Sequence, residues 1–409
     1  MIQTTSDATH RNGRAGEVFA AFLKLGLTSF GGPVAHLGYF REEFVVRRRW
    51  LSEADYADLV TLCQFLPGPA SSQVGFALGL RRAGWSGALT AFVAFTLPSA
   101  FALLVFAFAA GSLSGPLAAG ALHGLKIVAV AIVAQAVWGM AGALCPDRTR
   151  GMIAAGAVVV LAFVPGAWGM VGAIALGAVA GLVLIRDAGH PAAPALPGSA
   201  PASALVSRAA GIAALGVFFL LLVLLPLVAG QSQVLAVIDS FYRAGALVFG
   251  GGHVVLPLLE AEVVRTGWVS PDAFVAGYGA AQAVPGPLFT FAAYLGAVLG
   301  PEPNGLSGAA LALAAVFLPG FLLLAGVLPF WDRFRAMAPA QSLLRGANAA
   351  VVGILAAALY SPVFTSAVTD MRDFALALGC FVLLMAWKAP PWLVVSVAAL
   401  GGAGLSLVR

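Results

Sequence analysis

Seven basic side chains sit inside long apolar stretches of this sequence: Lys24, His36, His123, Lys126, Arg243, His253 and Arg345. No Asp or Glu occurs between Glu17 and Arg41, from Leu59 to Pro146, from Ala273 to Pro301, from Arg333 to Thr369, or after Asp373. A charge placed in hydrocarbon costs about 2.5–3.5 kcal/mol on insertion scales and normally faces a cavity or a pathway. With few acidic residues nearby in sequence, these cations are expected to be compensated by a group that arrives from outside, an anion.

Two proline breaks fit the same chemistry. Gln64-Phe65-Leu66-Pro67-Gly68-Pro69 interrupts one apolar run, and Gln282-Ala283-Val284-Pro285-Gly286-Pro287 interrupts another. Proline lacks a backbone N–H and clashes with the preceding turn, so each motif predicts a helix end, a short unwound link and a new helix start. A helix starting after Pro69 or Pro287 presents unpaired N–H groups and a partial positive charge, which suits an oxyanion. Ala70, Ser71 and Ser72 stand there in the first case, and Leu288, Phe289 and Thr290 in the second. Hydroxyls from Ser71, Ser72 and Thr290 and amides from Gln64 and Gln282 add donors. Discontinuous helices paired in inverted repeats point to a transporter's binding site near the midplane.

Blander roles compete. Lys24 and Arg243 could reach lipid phosphates at an interface, and Lys126, opposite Asn348 in the second copy, could serve a structural pair. His36 and His253 have no His or Cys at ligand spacing, so capping or hydrogen bonding is favoured over metal. Gly31-Gly32 and Gly250-Gly251-Gly252 lack the context of a nucleotide loop and read as helix breaks or close-packing points. Ala173, Gly177 and Gly181 form a small-residue stripe of the kind that packs helices. Glu53, Asp55 and Asp58 could couple protons but read first as solvated loop charges. Cys63, Cys145 and Cys380 have no metal or redox spacing. With no carboxylate pair in the apolar regions, no nucleophile elbow and no ligand cluster, neither an enzyme nor a cofactor is expected.

The elements that must hold these groups are membrane helices. Of the 409 residues 61% are hydrophobic and 10% charged, where soluble domains carry about 25% charged residues. Apolar segments fall near 17–39, 57–80, 84–111, 117–144, 151–166, 168–186, 209–229, 235–259, 273–299, 306–330, 342–365, 373–387 and 391–407. Their length without period-2 alternation predicts an all-α integral membrane protein rather than a barrel. The chain also repeats itself. Lys24-x5-Phe30-Gly31-Gly32 matches Arg243-x5-Phe249-Gly250-Gly251, Trp50-x-Ser52 matches Trp268-x-Ser270, and Phe95-x-x-Pro98 matches Val316-x-x-Pro319. This divides the chain into a polar N-terminus at 1–15, a first repeat at 16–186, a Pro/Ala-rich linker at 187–208, an extra helix at 209–230 and a second repeat at 235–407. Arginines crowd the 41–49 loop, whereas its counterpart holds Glu260, Glu262 and Asp272 against Arg265. Basic short loops stay cytoplasmic, so the two repeats are expected to face opposite ways. Segments 17–39 and 57–80 that enter and return, breaking at Gly31-Gly32-Pro33 and Pro67-Gly68-Pro69, keep Arg11, Arg14, the 41–49 loop and Arg81-Arg82 on one side; two conventional crossings with an imperfect charge bias are the alternative.

Taken together, Phe30-Gly31-Gly32-Pro33-x-Ala35-His36, Trp50-Leu51 and Gln64-x-x-Pro67-Gly68-Pro69 resemble the chromate ion transporter (CHR) family. Phe249-Gly250-Gly251-Gly252-His253 with Pro285-Gly286-Pro287 resembles that family's second domain, and the likeness covers roughly residues 16–400. The resemblance implies chromate export across a bacterial inner membrane, giving chromate resistance, with sulfate as the look-alike dianion. An oxyanion uptake carrier and a passive anion channel are the alternatives on the same scaffold. The expected partners are the anion and the lipid bilayer, with a homodimer left open and no nucleic acid. Ser71-Ser72 against Phe289-Thr290, and Lys126 against Asn348, suggest that the first copy supplies more of the anion's ligands.

Overall fold

A computed structural model describes residues 13–112, 115–185, 205–249, 252–334 and 337–407. Gly250 and Gly251, most of the 1–15 and 187–208 segments, and Arg11, Arg186, Arg335 and Arg409 lie outside the described residues. All regular structure within them is helical.

The first apolar segment is two helices, α1 (Ala15–Thr28) and α2 (Gly32–Phe40), parted at Ser29–Gly31 and followed by a π turn at Arg41–Arg47. The left-handed backbone at Gly31, φ +99°, makes the break, and Pro33 stands in the first turn of α2. Next come α3 (Glu53–Phe65) and α4 (Ala70–Ser112), with Leu66–Pro69 unwound between them. Ser52 caps α3 by accepting the Asp55 N–H. Inside α4 the backbone leaves the helical region at Ala83 and Gly84, so the short stretch returning from the break is distinct from the long apolar one beyond it.

Then follow α5 (Pro116–Leu144), α6 (Arg148–Phe163), α7 (Ala167–Leu184) and α8 (Arg208–Val228). The second half repeats the broken pattern. Helix α9 (Gln233–Ala246) stops before the Phe249-Gly-Gly-Gly stretch, and α10 (Val255–Leu259) runs into a second π turn at Glu260–Val264. Helix α11 (Pro271–Ala281) ends at the other proline motif, which leads through a 3-10 turn at Leu288–Thr290 into the seven-residue α12 (Phe291–Ala297). The chain closes with α13 (Gly305–Val327), α14 (Trp331–Phe334), α15 (Ala338–Ala358), α16 (Thr365–Ala367), α17 (Met371–Met385) and α18 (Pro391–Ser406).

Five stretches, Ala70–Ala110, Pro116–Leu144, Arg208–Gln231, Gly305–Phe334 and Ala338–Ala367, are long and apolar enough to cross a bilayer. Large apolar side chains such as Phe101, Trp138, Phe163, Trp168 and Leu227 are exposed along the helices. On a surface this apolar the surrounding solvent is lipid, and the chain is a multi-pass membrane protein.

Polar contacts show which ends lie together. Arg82 pairs with Glu17, Arg81 with Asp55 and Arg41 with Glu53, while Trp50 Nε1 donates to Glu17. The entrances of α1 and α3, the 41–50 segment and the bend in α4 therefore share one end of the bundle, and both segments enter and return. Trp331 Nε1 reaches Asp58 at 3.1 Å, which brings the exit of α13 to the same end. The 23 residues of α13 rise about 35 Å, so its entrance at Gly305 lies at the opposite end. There the Gly300 N–H donates to the Trp268 carbonyl at 2.8 Å. The broken segments of the second half thus open at the end away from those of the first.

Small residues let the long helices approach. Gly177 and Gly181 of α7 lie against Gly346, Ala350 and Ser342 of α15, with no room for a Cβ. The stripe at 173–181 is a packing surface.

Candidate functional site

The breaks of the two halves meet in the middle of the bundle. The Gly68 N–H donates to the Val248 carbonyl at 2.7 Å, and the Gly286 N–H donates to the Ser29 carbonyl at 2.9 Å. Ser29 and Val248 occupy matching places in the two copies, as do Gly68 and Gly286, so one contact is made twice. Inside a bilayer an unwound backbone must find partners within the protein, and here each half supplies the other's.

Both glycines are required by geometry. Gly68 has φ +123° and Gly286 φ +97°, values that favour glycine. A Cβ on Gly68 would stand 3.0 Å from both the Gly320 Cα and Gln73 Nε2. On Gly286 it would stand 2.9 Å from Ser99 Oγ and 3.2 Å from the Phe95 carbonyl. Pro67 and Pro69 flank the first glycine and Pro285 and Pro287 the second, with Pro287 extended ahead of the 3-10 turn. The other two breaks also touch, with Gly252 packed on the Pro33 ring and Gly32 beside His253.

Around this crossing the first half is polar. His36 is buried on α2, its Nδ1 is 3.3 Å from Ser71 Oγ, and its ring lies edge-on to Phe95. The tautomer decides the roles: if Ser71 donates to Nδ1 the proton is on Nε2, and if Nδ1 donates to Ser71 the Nε2 nitrogen is an acceptor. Ala70, Ser71 and Ser72 form the first turn of α4, where three N–H groups have no helical partner. Gln73 Nε2 donates to the Pro67 carbonyl at 3.1 Å and to the Gly320 carbonyl at 2.9 Å, tying the break to α13. Four buried side-chain atoms here, Ser29 Oγ, Ser72 Oγ, Gln73 Oε1 and Thr96 Oγ1, have no hydrogen-bond partner within the protein, while His36 bonds the Ser29 backbone and Gln282 bonds Tyr278. Leaving such a group unsatisfied costs about 1–3 kcal/mol, which makes this crossing the candidate site.

The second half answers with aromatic rings. Phe289, Phe291 and Phe317 stand where the first copy has Ser71, Gln73 and Thr96, and all three are buried. Thr290 spends its hydroxyl on the Pro287 carbonyl at 2.7 Å, and His253 Nδ1 is 2.7 Å from the Tyr278 hydroxyl.

Of the basic residues named by sequence, Lys24, His123, Lys126 and Arg243 lie elsewhere, and the expectation that these four lack acidic partners does not hold. Lys24 Nζ is 2.9 Å from Glu43, Lys126 Nζ 2.9 Å from Asp272, and His123 Nε2 3.0 Å from Asp373. Arg243 Nη2 is 2.8 Å from both Asp239 and Glu262. The partners come from returning segments and distant helices, a proximity the linear sequence hides. Gln64 is exposed on α3, turned from the break it precedes, and Asn348 is half-buried on α15. Gly31 forms the break before α2, whereas Gly250 and Gly251 fall outside the described residues. The sequence reading missed Ser29, Gln73, Thr96 and Ser99. Ser29 precedes Phe30-Gly31-Gly32, Gln73 extends Ser71-Ser72, and Thr96 and Ser99 flank the repeated Pro98, signals that could have found them. Among the described residues no group of three or more His, Cys, Asp or Glu could hold a metal ion.

Comparison with known proteins agrees with this two-part layout. The family described as "Chromate transporter" matches residues 16–182 and again 235–404. A chromate transport protein of Pseudomonas aeruginosa is 32% identical over 399 residues, covering 95% of this chain and 91% of that protein. A probable chromate transport protein of Synechococcus elongatus is 27% identical, covering 93% of each chain. A chromate transport protein of Cupriavidus metallidurans is 28% identical, covering 93% of this chain and 90% of its own. No solved structure matches the chain.

Proposed function

The chain belongs to the chromate transporter family, and from that premise we propose that it exports chromate through the crossing of its four helix breaks. The observation that carries this reading is the set of buried, neutral polar groups left unpartnered there by the first half. A tetrahedral dianion offers acceptors in every direction, and O–H and N–H dipoles fixed in a low-dielectric site bind it strongly. Ser72 Oγ, the first-turn amides of α4 and the second N–H of the Gln282 amide are the donors, with the His36 ring beside them. The positive end of α4 adds to their field. The paired cations Lys24, Lys126 and Arg243 hold the broken segments in place and do not ligate the anion.

The two halves act as inverted repeats, each presenting its breaks from its own side, and alternating access follows as one set opens while the other stays closed. The end that gathers Arg41, Arg47–Arg49, Arg81 and Arg82 faces the cytoplasm of a bacterial inner membrane. Export in that orientation confers chromate resistance.

Inside-out membrane vesicles containing the protein should therefore accumulate radiolabelled chromate, with sulfate as competitor. Ser72→Ala should raise the half-saturating chromate concentration about tenfold, roughly 1.4 kcal/mol for one charge-assisted bond. Accumulation in right-side-out vesicles alone would reverse the direction to uptake. Unchanged affinity in Ser72→Ala and Gln282→Ala would remove the site from this crossing.

A further inference from the structure

The two halves match closely at one further position, and there their charges differ. Glu43 and Glu262 occupy equivalent places in the two π turns, as Lys24 and Arg243 do in α1 and α9, and both pairs form ion pairs. In the first half Glu43 is the single carboxylate, and it meets Lys24 Nζ at 2.9 Å, Arg48 Nε at 2.8 Å and Arg47 Nη1 at 3.4 Å. In the second half Arg47 and Arg48 are replaced by Thr266 and Gly267, and Ala20 by Asp239. Two carboxylates, Asp239 Oδ2 and Glu262 Oε2, therefore contact the same nitrogen, Arg243 Nη2, each at 2.8 Å. Asp239 is 5% exposed and Glu262 6%.

One guanidinium neutralises one carboxylate. The neighbouring elements do little for the second. Arg243, Tyr242 and Asp239 are the titratable groups of α9, and the Tyr242 hydroxyl is committed to the Phe218 carbonyl. The π turn adds Glu260, itself paired with Arg265, and Ser240 bonds Glu262. Helices α10 and α13 carry no titratable residue, and α8 carries Arg208 alone, at its far end. Two like charges held this close in a site screened from water favour a state in which one carboxyl keeps a proton.

We propose that Asp239, Arg243 and Glu262 form a proton-binding site, in which one carboxyl takes up a single proton and the other stays ionised against Arg243. The proton comes from the aqueous phase at the end where Glu260–Thr266 emerge. It adds to a carboxylate oxygen, and no other bond forms or breaks. Asp239 and Arg243 lie on α9, which ends at Ala246 just before Val248, whose carbonyl accepts the Gly68 N–H. Loading or losing the proton changes the attraction between α9 and the returning 260–264 segment, and so biases the hold of the second half on the Pro67-Gly68-Pro69 link. As far as it concerns coupling, this inference rests on the export reading above; the proton site itself does not.

The test uses the full chain. In sealed proteoliposomes, chromate flux through the wild type should respond to an imposed pH gradient, and Asp239→Asn should lose that response while retaining chromate–chromate exchange. Asp239→Ala, which copies Ala20 of the first half, should behave the same way and guards against a folding defect of the first variant. An equal response to the gradient in wild type and variants overturns the coupling role. Thermal unfolding in detergent reads the proton directly and needs no substrate. A proton held by the folded site and released on unfolding stabilises at low pH, and that stability is lost as pH rises. As pH rises above the ordinary carboxyl range, near about 4, the wild-type melting temperature should fall relative to that of Asp239→Asn. Parallel curves overturn the proton site. Diverging curves without chromate flux keep the site and reject the export reading.

Discussion

The amide of Gly68 and the carbonyl of Val248, on different halves of the chain, are joined at 2.7 Å, and Gly286 and Ser29 repeat the bond at 2.9 Å. Each half thus completes the unwound backbone of the other. The crossing is a product of both copies, although its unpartnered side chains come from the first.

The two glycines allow a direct test. Gly68→Ala and Gly286→Ala each force a left-handed backbone on a residue with a Cβ, and each Cβ meets the facing half. Each should lower stability by about 1–3 kcal/mol and abolish chromate flux. Gly216→Ala, where a Cβ has open space, is the control and should leave melting and flux unchanged.

Gln73 offers a second test. Its Nε2 serves two carbonyls from separate parts of the fold, and the residue is fully buried. Gln73→Leu keeps most of the volume but leaves both carbonyls without a donor, at about 1–3 kcal/mol each. A clear drop in melting temperature is expected; a melt equal to wild type would show that the carbonyls find other donors.

The matched cations should differ sharply when removed. Lys24 is half-exposed, and Glu43 retains Arg47 and Arg48 without it, so Lys24→Ala should cost no more than about 1 kcal/mol. Arg243→Ala strands two buried carboxylates and should cost about 3–5 kcal/mol. Adding Asp239→Ala to Arg243→Ala should recover part of that loss in a thermal melt, whereas additive losses would contradict the shared-nitrogen geometry.

Packing between α7 and α15 depends on glycine at 346, whose Cβ position is filled by the backbone of Gly177 and Gly181. Gly346→Leu should separate these helices and reduce the yield of monodisperse protein in detergent. Gly172→Leu, at a half-buried position with nothing within 4 Å of its Cβ, should be tolerated.

Much of the architecture was legible because membrane helices announce themselves by long apolar runs and by their punctuation. Ser52, Ser207, Ser232 and Ser270 cap helices where those runs begin, and the proline motifs fall between helix ends. Pairing was harder to read. Glu43 lies 19 residues from Lys24 and Asp272 lies 146 from Lys126. Only the return of α2 and the crossing of α5 with α11 bring them together, so cations that look unaccompanied in sequence are paired in space. The glutamines show the same limit. Repetition of the motif drew attention to Gln64, but helical phase leaves it exposed on α3, while Gln73, which copy two replaces with Phe291, carries the buried contacts.

The reciprocal bonds also bear on how the chain is made. When Gly68 leaves the ribosome its acceptor Val248 does not yet exist, and neither does Gly286 for Ser29. An unwound amide or carbonyl cannot rest unpartnered in hydrocarbon. Closure of both links therefore has to await synthesis of the second half.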